Sequence, residues 1–282
     1  MAVAQKKDYE AIAKAKIRKP SQVPQSEKYP RLLIYGRNKK GKTTFCASAP
    51  NVLVIDPEDG TKHLTKTDPN VWQIDKWEDM DEVEKFLRLG KHDYQWVALD
   101  PMTRIHNMAL RWVMNQANER SLDSRPVMVD KRYHGQAGEM TKQLLWNFHS
   151  LPMGVIYTAQ ERIEAAIGMD DDEDADDAAT SFVPDLPKGA RNAVNSIVDV
   201  IGRIYVVKTE VKIRNTTTQQ VEEREVLQRR LWLEPHPAYD TGYRSEFSLP
   251  TFLKNPTVPK LMELISTGKV STGKVSTSGN QK

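Results

Sequence analysis

The chain has 282 residues, with 41 Lys plus Arg against 38 Asp plus Glu, a hydrophobic fraction of 39% and a charged fraction of 28%. That composition excludes a wholly disordered or collagenous chain, and no apolar run approaches the roughly 20 residues that a bilayer-spanning helix needs. One cysteine, Cys46, rules out an intramolecular disulfide and a zinc ribbon. The six histidines show no metal-ligand spacing, and no N-terminal apolar stretch resembles a signal peptide. A cytoplasmic protein with no membrane partner is expected.

The net charge of +3 conceals a segregated distribution: seven acids and no base lie between Asp170 and Asp177, while the first 31 residues hold eight bases and three acids. An anionic partner is permitted by this pattern, although basic arms also serve as solubilising tails. Tyr9, Ile12, Ala13 and Ile17 recur at helical spacing and predict a short amphipathic helix ending before Pro20. The Pro-containing stretch from Pro20 to Pro30 then reads as a linker, so that residues 1–27 form an arm; a frayed terminus fits the same residues.

From Arg31 onward, short apolar runs alternate with helix-length segments. Leu32–Tyr35, Val52–Ile55, Trp96–Leu99 and Gly154–Ala159 each end at a glycine, an acid or a polar residue, the pattern of buried parallel strands in α/β units. Functional residues are then expected at the strands' carboxyl ends. Helices are predicted over Met80–Leu89, with Val83, Phe86, Leu87 and Leu89 as the apolar residues, and over Glu139–Phe148. Residues 161–191 read as a mobile acidic loop. Ile197–Val207 and Val226–Leu233 bracket a polar turn at Asn215–Gln220 and predict an antiparallel hairpin that extends the sheet. Residues 28–265 thus form one core. Residues 266–282, with Ser-Thr-Gly-Lys-Val twice and no acid, read as a flexible basic tail.

The most specific signal is Gly36-Arg37-Asn38-Lys39-Lys40-Gly41-Lys42-Thr43, followed by Thr44, which matches G-x-x-x-x-G-K-[ST] between a predicted strand and a predicted helix. Glycines let the backbone curl so that successive N–H groups point at phosphate oxygens. Lys42 then reaches the β- and γ-phosphates of ATP, and the Thr43 hydroxyl is placed to hold Mg2+. The metal needs an acid at a neighbouring strand end, for which Asp100 is the Walker B candidate; taken alone, an apolar run ending in Asp is also a common helix cap. Asp56 and Glu58 end the second strand. Glu58 is the favoured general base for water, with Asp56 as the residue that holds the loop. Gln160 ends a fourth strand and is a candidate γ-phosphate sensor.

This ordered set resembles the RecA-like P-loop ATPase core and, more narrowly, the phage nucleotide-binding proteins of the Sak single-strand annealing class, over roughly Lys28 to Leu253. The resemblance implies a mainly parallel sheet flanked by helices, with the hairpin as a C-terminal extension. It places the Walker lysine and threonine on Lys42 and Thr43, the catalytic glutamate on Glu58, the Walker B aspartate on Asp100 and the coupling glutamine on Gln160. Arg244 falls where the family has a basic residue that reaches a neighbouring subunit's nucleotide, but Gly242 and Tyr243 stand where a lysine often precedes it. The resemblance also implies a ring or filament acting on single-stranded DNA in recombination, annealing or replication, with a single-strand-binding or replication protein as a possible partner.

DNA contacts require bases. Arg111, Arg120, Arg125, Lys131 and Arg132, interspersed with Trp112 and Tyr133, combine charge with stacking, or form a solvated helix face over core aromatics. The second expected DNA loop holds Arg162, Lys188 and Arg191 against ten acids, a composition that repels phosphate unless the acidic run folds over a basic groove or docks a partner. A nuclease or helicase-like motor, and a nucleotide-switched adaptor without enzymatic activity, remain as alternatives.

Overall fold

The computed structural model describes residues 16–23, 29–121, 126–165, 180–214 and 221–270. The predicted N-terminal helix falls almost wholly outside them. So do Arg125, the acidic run, the turn at 215–220 and most of the tail.

Among the described residues the strands are β1 (Arg31–Tyr35), β2 (Val52–Asp56), β3 (Asn70–Gln73), β4 (Trp96–Leu99), β5 (Gly154–Ala159), β6 (Glu161–Ala165), β7 (Thr180–Pro184), β8 (Val200–Arg214), β9 (Val221–Trp232), β10 (Gly242–Tyr243) and β11 (Phe252–Lys254). The helices are α1 (Lys42–Cys46), α2 (Asp79–Leu89), α3 (Met102–Arg120), α4 (Lys131–His149), α5 (Lys188–Ile197) and α6 (Val258–Thr267). The main sheet runs β11-β9-β8-β1-β5-β4-β2-β3, with β10 also paired to β8. From β8 through β3 every pairing is parallel, and β9, β10 and β11 add antiparallel pairings at the other flank. This is the expected mainly parallel sheet flanked by helices, with a C-terminal antiparallel hairpin.

Alternation along the strands sorts the core into two layers. Leu33, Tyr35, Leu53, Ile55, Val97, Leu99, Val155 and Tyr157 face α2, α3, α4 and α5. Leu32, Ile34, Val54, Ala98 and Ile156 face α1 and α6. Every residue of β1, β2, β4 and β5 is buried, which is why these strands read as continuous apolar runs.

Several elements depart from the sequence reading. α4 begins well before Glu139, because the Asp130 carboxylate accepts hydrogen bonds from the backbone N–H groups of Arg132 and Tyr133 and caps the helix there. α2 forms as expected with Val83 and Leu87 in the core, but Leu89 is exposed, and Met80 is buried with them. Both ends of the expected acidic loop are ordered: β6 and β7 pair antiparallel from Glu161 opposite Pro184 to Ala165 opposite Thr180. α6 runs through Ser266 and Thr267 to a left-handed Gly268 at φ 69°, so the helix continues past the start of the predicted tail.

α3 leaves the carboxyl end of β4 and α4 returns to the start of β5. The two helices are antiparallel, joined by a His106–Thr141 hydrogen bond of 2.9 Å and by the packing of Ala109 and Val113 on Tyr133 and Ala137.

Candidate functional site

The carboxyl ends of β1, β2, β4 and β5 open into a cleft of about 620 Å³, within the usual size of a small-ligand site. Asn38, Lys39, Gly41, Lys42, Thr43, Thr44, Asp56, Glu58, Asp100 and Gln160 line it, so residues scattered from β1 to β5 in the chain meet in one place.

The loop after β1 is held from below. Gly36 is buried, and a Cβ there would lie 2.3 Å from the Ile204 carbonyl oxygen, so close approach of β8 requires glycine. Lys39 and Gly41 are left-handed, at φ 61° and 100°, which turns the backbone into a concave loop. α1 then starts at Lys42, with the Phe45 N–H donating to the Gly41 carbonyl at 3.0 Å. Of the predicted loop residues, Gly36, Arg37 and Lys40 do not line the cleft. The exposed Arg37 side chain turns instead towards Glu161, at 3.4 Å.

Lys42 is buried, and its Nζ donates to the carbonyls of Gly36 and Arg37 at 2.8 and 3.1 Å. Burial lowers its pKa, an effect opposed by Asp100, Cys46 and Glu58. Asp100 is buried beside it and accepts hydrogen bonds from the hydroxyls of Thr158 and Thr43. Its carboxyl pKa is raised because burial outweighs those hydrogen bonds and the nearby ammonium. Thr43 and Asp100 are thus neighbours, hard oxygen donors of the kind magnesium takes, and a buried carboxylate carrying this desolvation cost gains from a cation. These residues fit Mg2+.

Asp56 and Glu58 differ in their surroundings. Asp56 is fully engaged: its two carboxylate oxygens accept from the N–H groups of Glu58 and Thr61, both at 2.9 Å, and from the Thr61 hydroxyl at 2.7 Å. It therefore shapes the 57–61 turn. Glu58 projects into the cleft with a raised pKa, caused first by desolvation and then by Asp100 and Asp56, and opposed by Arg104 and Lys42. Gln160 also lines the cleft; its N–H donates to the Thr103 hydroxyl at 3.0 Å, and its carbonyl accepts from the Asp185 N–H at 2.8 Å.

Arg244 lies elsewhere. It lines a separate cavity with Tyr29, Pro30, Leu32 and Trp96 at the amino ends of β1 and β4, and its guanidinium donates to the Ser196 carbonyl at 2.8 Å. The proposed DNA residues divide into two groups. Arg120 and Arg132 line one groove of about 570 Å³ at the end of the α3–α4 hairpin, together with Trp112 and Tyr133, and Lys131 is exposed next to them. Arg162 and Arg191 are instead ion-paired to Glu164, at 2.5 and 2.9 Å, while Lys188 is exposed at the start of α5. Among the described residues no group of three or more His, Cys, Asp or Glu side chains forms a metal cluster, and no helix is long and apolar enough to cross a membrane.

Sequence reasoning missed Arg229 of β9, which lines the cleft from the far side of the phosphate loop. It lies in an ordinary strand pattern, remote from the loop, with no local signal. Thr158, Thr103 and the 59–64 turn also escaped notice, since isolated hydroxyls carry no spacing.

No curated protein matches the chain in sequence. Among solved structures, a KaiC-like protein of Pyrococcus horikoshii aligns at 10% identity and a TM-score of 0.38, covering 80% of this chain and 89% of that one. A DnaB-like replicative helicase, described with its interactions with primase, aligns at 11% identity and a TM-score of 0.34. That alignment covers 71% of this chain and 54% of the helicase, so the chain spans about half of the helicase's length. A family model described as an AAA domain matches residues 28–245, taking in the phosphate loop, Glu58, Asp100, Gln160 and the β8–β9 hairpin. With well over half of its length inside that match, the chain belongs to the AAA domain family.

Proposed function

We propose that the protein binds ATP with magnesium in the cleft at the carboxyl ends of β1, β2, β4 and β5 and hydrolyses it. Membership of the AAA domain family implies ATPase activity. The observation that carries the reading is the convergence of Lys42, Thr43, Asp100, Glu58 and Gln160 on one cleft beside a loop with two left-handed residues. Backbone N–H groups of the loop and the Lys42 ammonium bind the triphosphate, which Lys42 reaches by exchanging its bonds to the Gly36 and Arg37 carbonyls. Thr43 and Asp100 hold the magnesium ion, which neutralises charge on the phosphates when bound. Glu58 orients water and accepts its proton, and its raised pKa makes it a stronger base than an ordinary carboxylate. Gln160 reads the terminal phosphate.

The test is calorimetric titration of the full chain with Mg-ATP, followed by phosphate release. Micromolar binding that Lys42→Ala abolishes supports the reading, and the absence of heat from well-folded protein rejects it.

The ATPase is further proposed to act on single-stranded DNA as a homo-oligomer, in the manner of the phage annealing proteins that its motif order resembles. A specific feature favours this over the adaptor reading: Arg120 and Arg132 share a groove with Trp112 and Tyr133, and the Arg132 guanidinium lies 4.9 Å from the Tyr133 ring centre. Cations beside aromatic faces are the pairing that non-specific strand binding uses. Arg244, placed away from its own chain's cleft, remains a candidate for contact with a neighbouring subunit. Stimulation of turnover by single-stranded DNA, with sedimentation of the complex, tests both parts; a monomer indifferent to DNA rejects them.

A further inference from the structure

We infer that Arg229 is a phosphate-binding residue acting on the nucleotide bound by its own chain, and that it closes the cradle on the side opposite the carboxylates. The inference rests on the nucleotide reading above and adds a residue to it. In the sheet order, β2 and β4, which deliver Glu58 and Asp100, lie on one side of β1, while β8 and β9 lie on the other. Glu58 and Asp100 therefore approach the loop from the same flank. From the other comes a guanidinium: Arg229 stands opposite Val206, just past the point where β8 passes beneath Gly36, and it lines the cleft.

Its head group rests directly on the loop. A Cβ on Gly41 would lie 2.2 Å from Arg229 Nε, 2.4 Å from Cζ and 2.8 Å from one Nη. Glycine at this position therefore serves two purposes, the left-handed turn and room for an arginine. Arg229 Nε is shut off from solvent and has no hydrogen-bond partner among the described residues, an unusual condition for a guanidinium. The neighbouring Arg230 behaves differently: it packs 4.2 Å from the Phe252 ring centre and donates to the Gln228 side chain at 2.9 Å. The strand is fixed close by, since the Asn255 N–H donates to the Arg229 carbonyl at 2.8 Å, so the side chain is presented from a paired backbone. A guanidinium with an unmet donor, set against the left-handed turn of a loop whose pattern is that of a phosphate cradle, matches an anion with several oxygens, and a polyphosphate tail is the ligand class it fits.

The test compares wild type, Arg229→Ala, Arg229→Gln and Lys42→Ala as full chains. Calorimetry with magnesium and a slowly hydrolysed ATP analogue is read beside circular dichroism and thermal melting. Loss of one charge-assisted contact is expected to weaken binding about 10- to 100-fold in Arg229→Ala. Arg229→Gln, of similar length, is expected to lose at least tenfold and decides the matter if the alanine variant melts early. Affinity equal to wild type in Arg229→Gln, with binding lost in Lys42→Ala, overturns this inference alone. No binding by wild type overturns the nucleotide reading and this inference with it. Mixing Lys42→Ala with Arg229→Ala then separates own-chain from neighbour action: no recovered turnover is expected, and recovery shows that Arg229 serves an adjacent subunit's site instead.

Discussion

Burial of Asp100 under Thr43 and Thr158 sets stability against chemistry within one side chain. Its folded-state pKa is raised by burial, so folding shifts the carboxyl towards its protonated form relative to the unfolded chain. The stability linked to it is fully present below the ordinary value of 3.8 and is lost as pH rises through the raised value. At neutral pH the ionised carboxylate is a cost until a cation offsets it. Asp100→Asn is therefore expected to raise the melting midpoint of nucleotide-free protein by about 2–4 °C for each kcal/mol regained while abolishing magnesium-dependent turnover, as differential scanning calorimetry and phosphate release would record. A lower midpoint contradicts the account. Glu58 carries the complementary expectation. Turnover should fall as pH drops through its raised pKa, above the ordinary 4.5, and Glu58→Gln should remove that acid limb with a loss of about 10²–10⁴ in kcat and unchanged nucleotide affinity.

At the level of the elements, the amino end of the sheet is stapled by one residue that no motif flagged. Arg31 opens β1 and is buried; its guanidinium donates to the carbonyls of Tyr29, His149, Leu151 and Met153 at 2.6–2.9 Å. It ties the end of α4 to the starts of β1 and β5. Arg31→Ala would leave buried carbonyls unpaired, at roughly 1–3 kcal/mol for each one that water cannot reach. Urea unfolding is expected to show a loss of at least about 3 kcal/mol, with Lys a poor substitute because one ammonium cannot span four carbonyls. The central strands were legible in sequence because each is buried on both faces and therefore uniformly apolar, and the phosphate loop was legible because its glycines have backbone reasons. Less could be read where tertiary partners decide the structure. β6 and β7 are polar strands that exist by pairing with each other, α4 owes its first two turns to the Asp130 cap, and Arg229 is functional only through the register of β9 on β8. Paired acids and bases were equally opaque: nothing local to Arg162 or Arg191 shows that Glu164 engages both.

For the molecule as a whole, the hypothesis of strand binding makes a quantitative demand on charge. If Arg120 and Arg132 each neutralise one phosphate, replacing both with alanine should reduce the slope of log affinity against log salt by about 1.4 and weaken binding equally for all sequences, which fluorescence anisotropy at several salt concentrations would measure. An unchanged slope removes the α3–α4 groove from the DNA-binding surface.

Among the described residues the β8–β9 hairpin pairs with the rest of the sheet at its base. β1 ends beside Arg203, yet β8 continues to Arg214, a reach of about 35 Å at 3.3 Å per residue. Near the root, Ile204 and Leu231 are buried, and β11 covers Leu231 and Trp232; farther out, Leu227 is exposed and Lys208 meets Glu225 in an exposed ion pair. The hairpin is thus a cantilever whose outer rungs pair only with each other among the described residues. Deuterium uptake along it should be graded, slow around Ile204 and Leu231 and progressively faster towards Arg214 and Val221. Because Arg229 sits close to the root, loosening of the tip can proceed without disturbing the loop it touches.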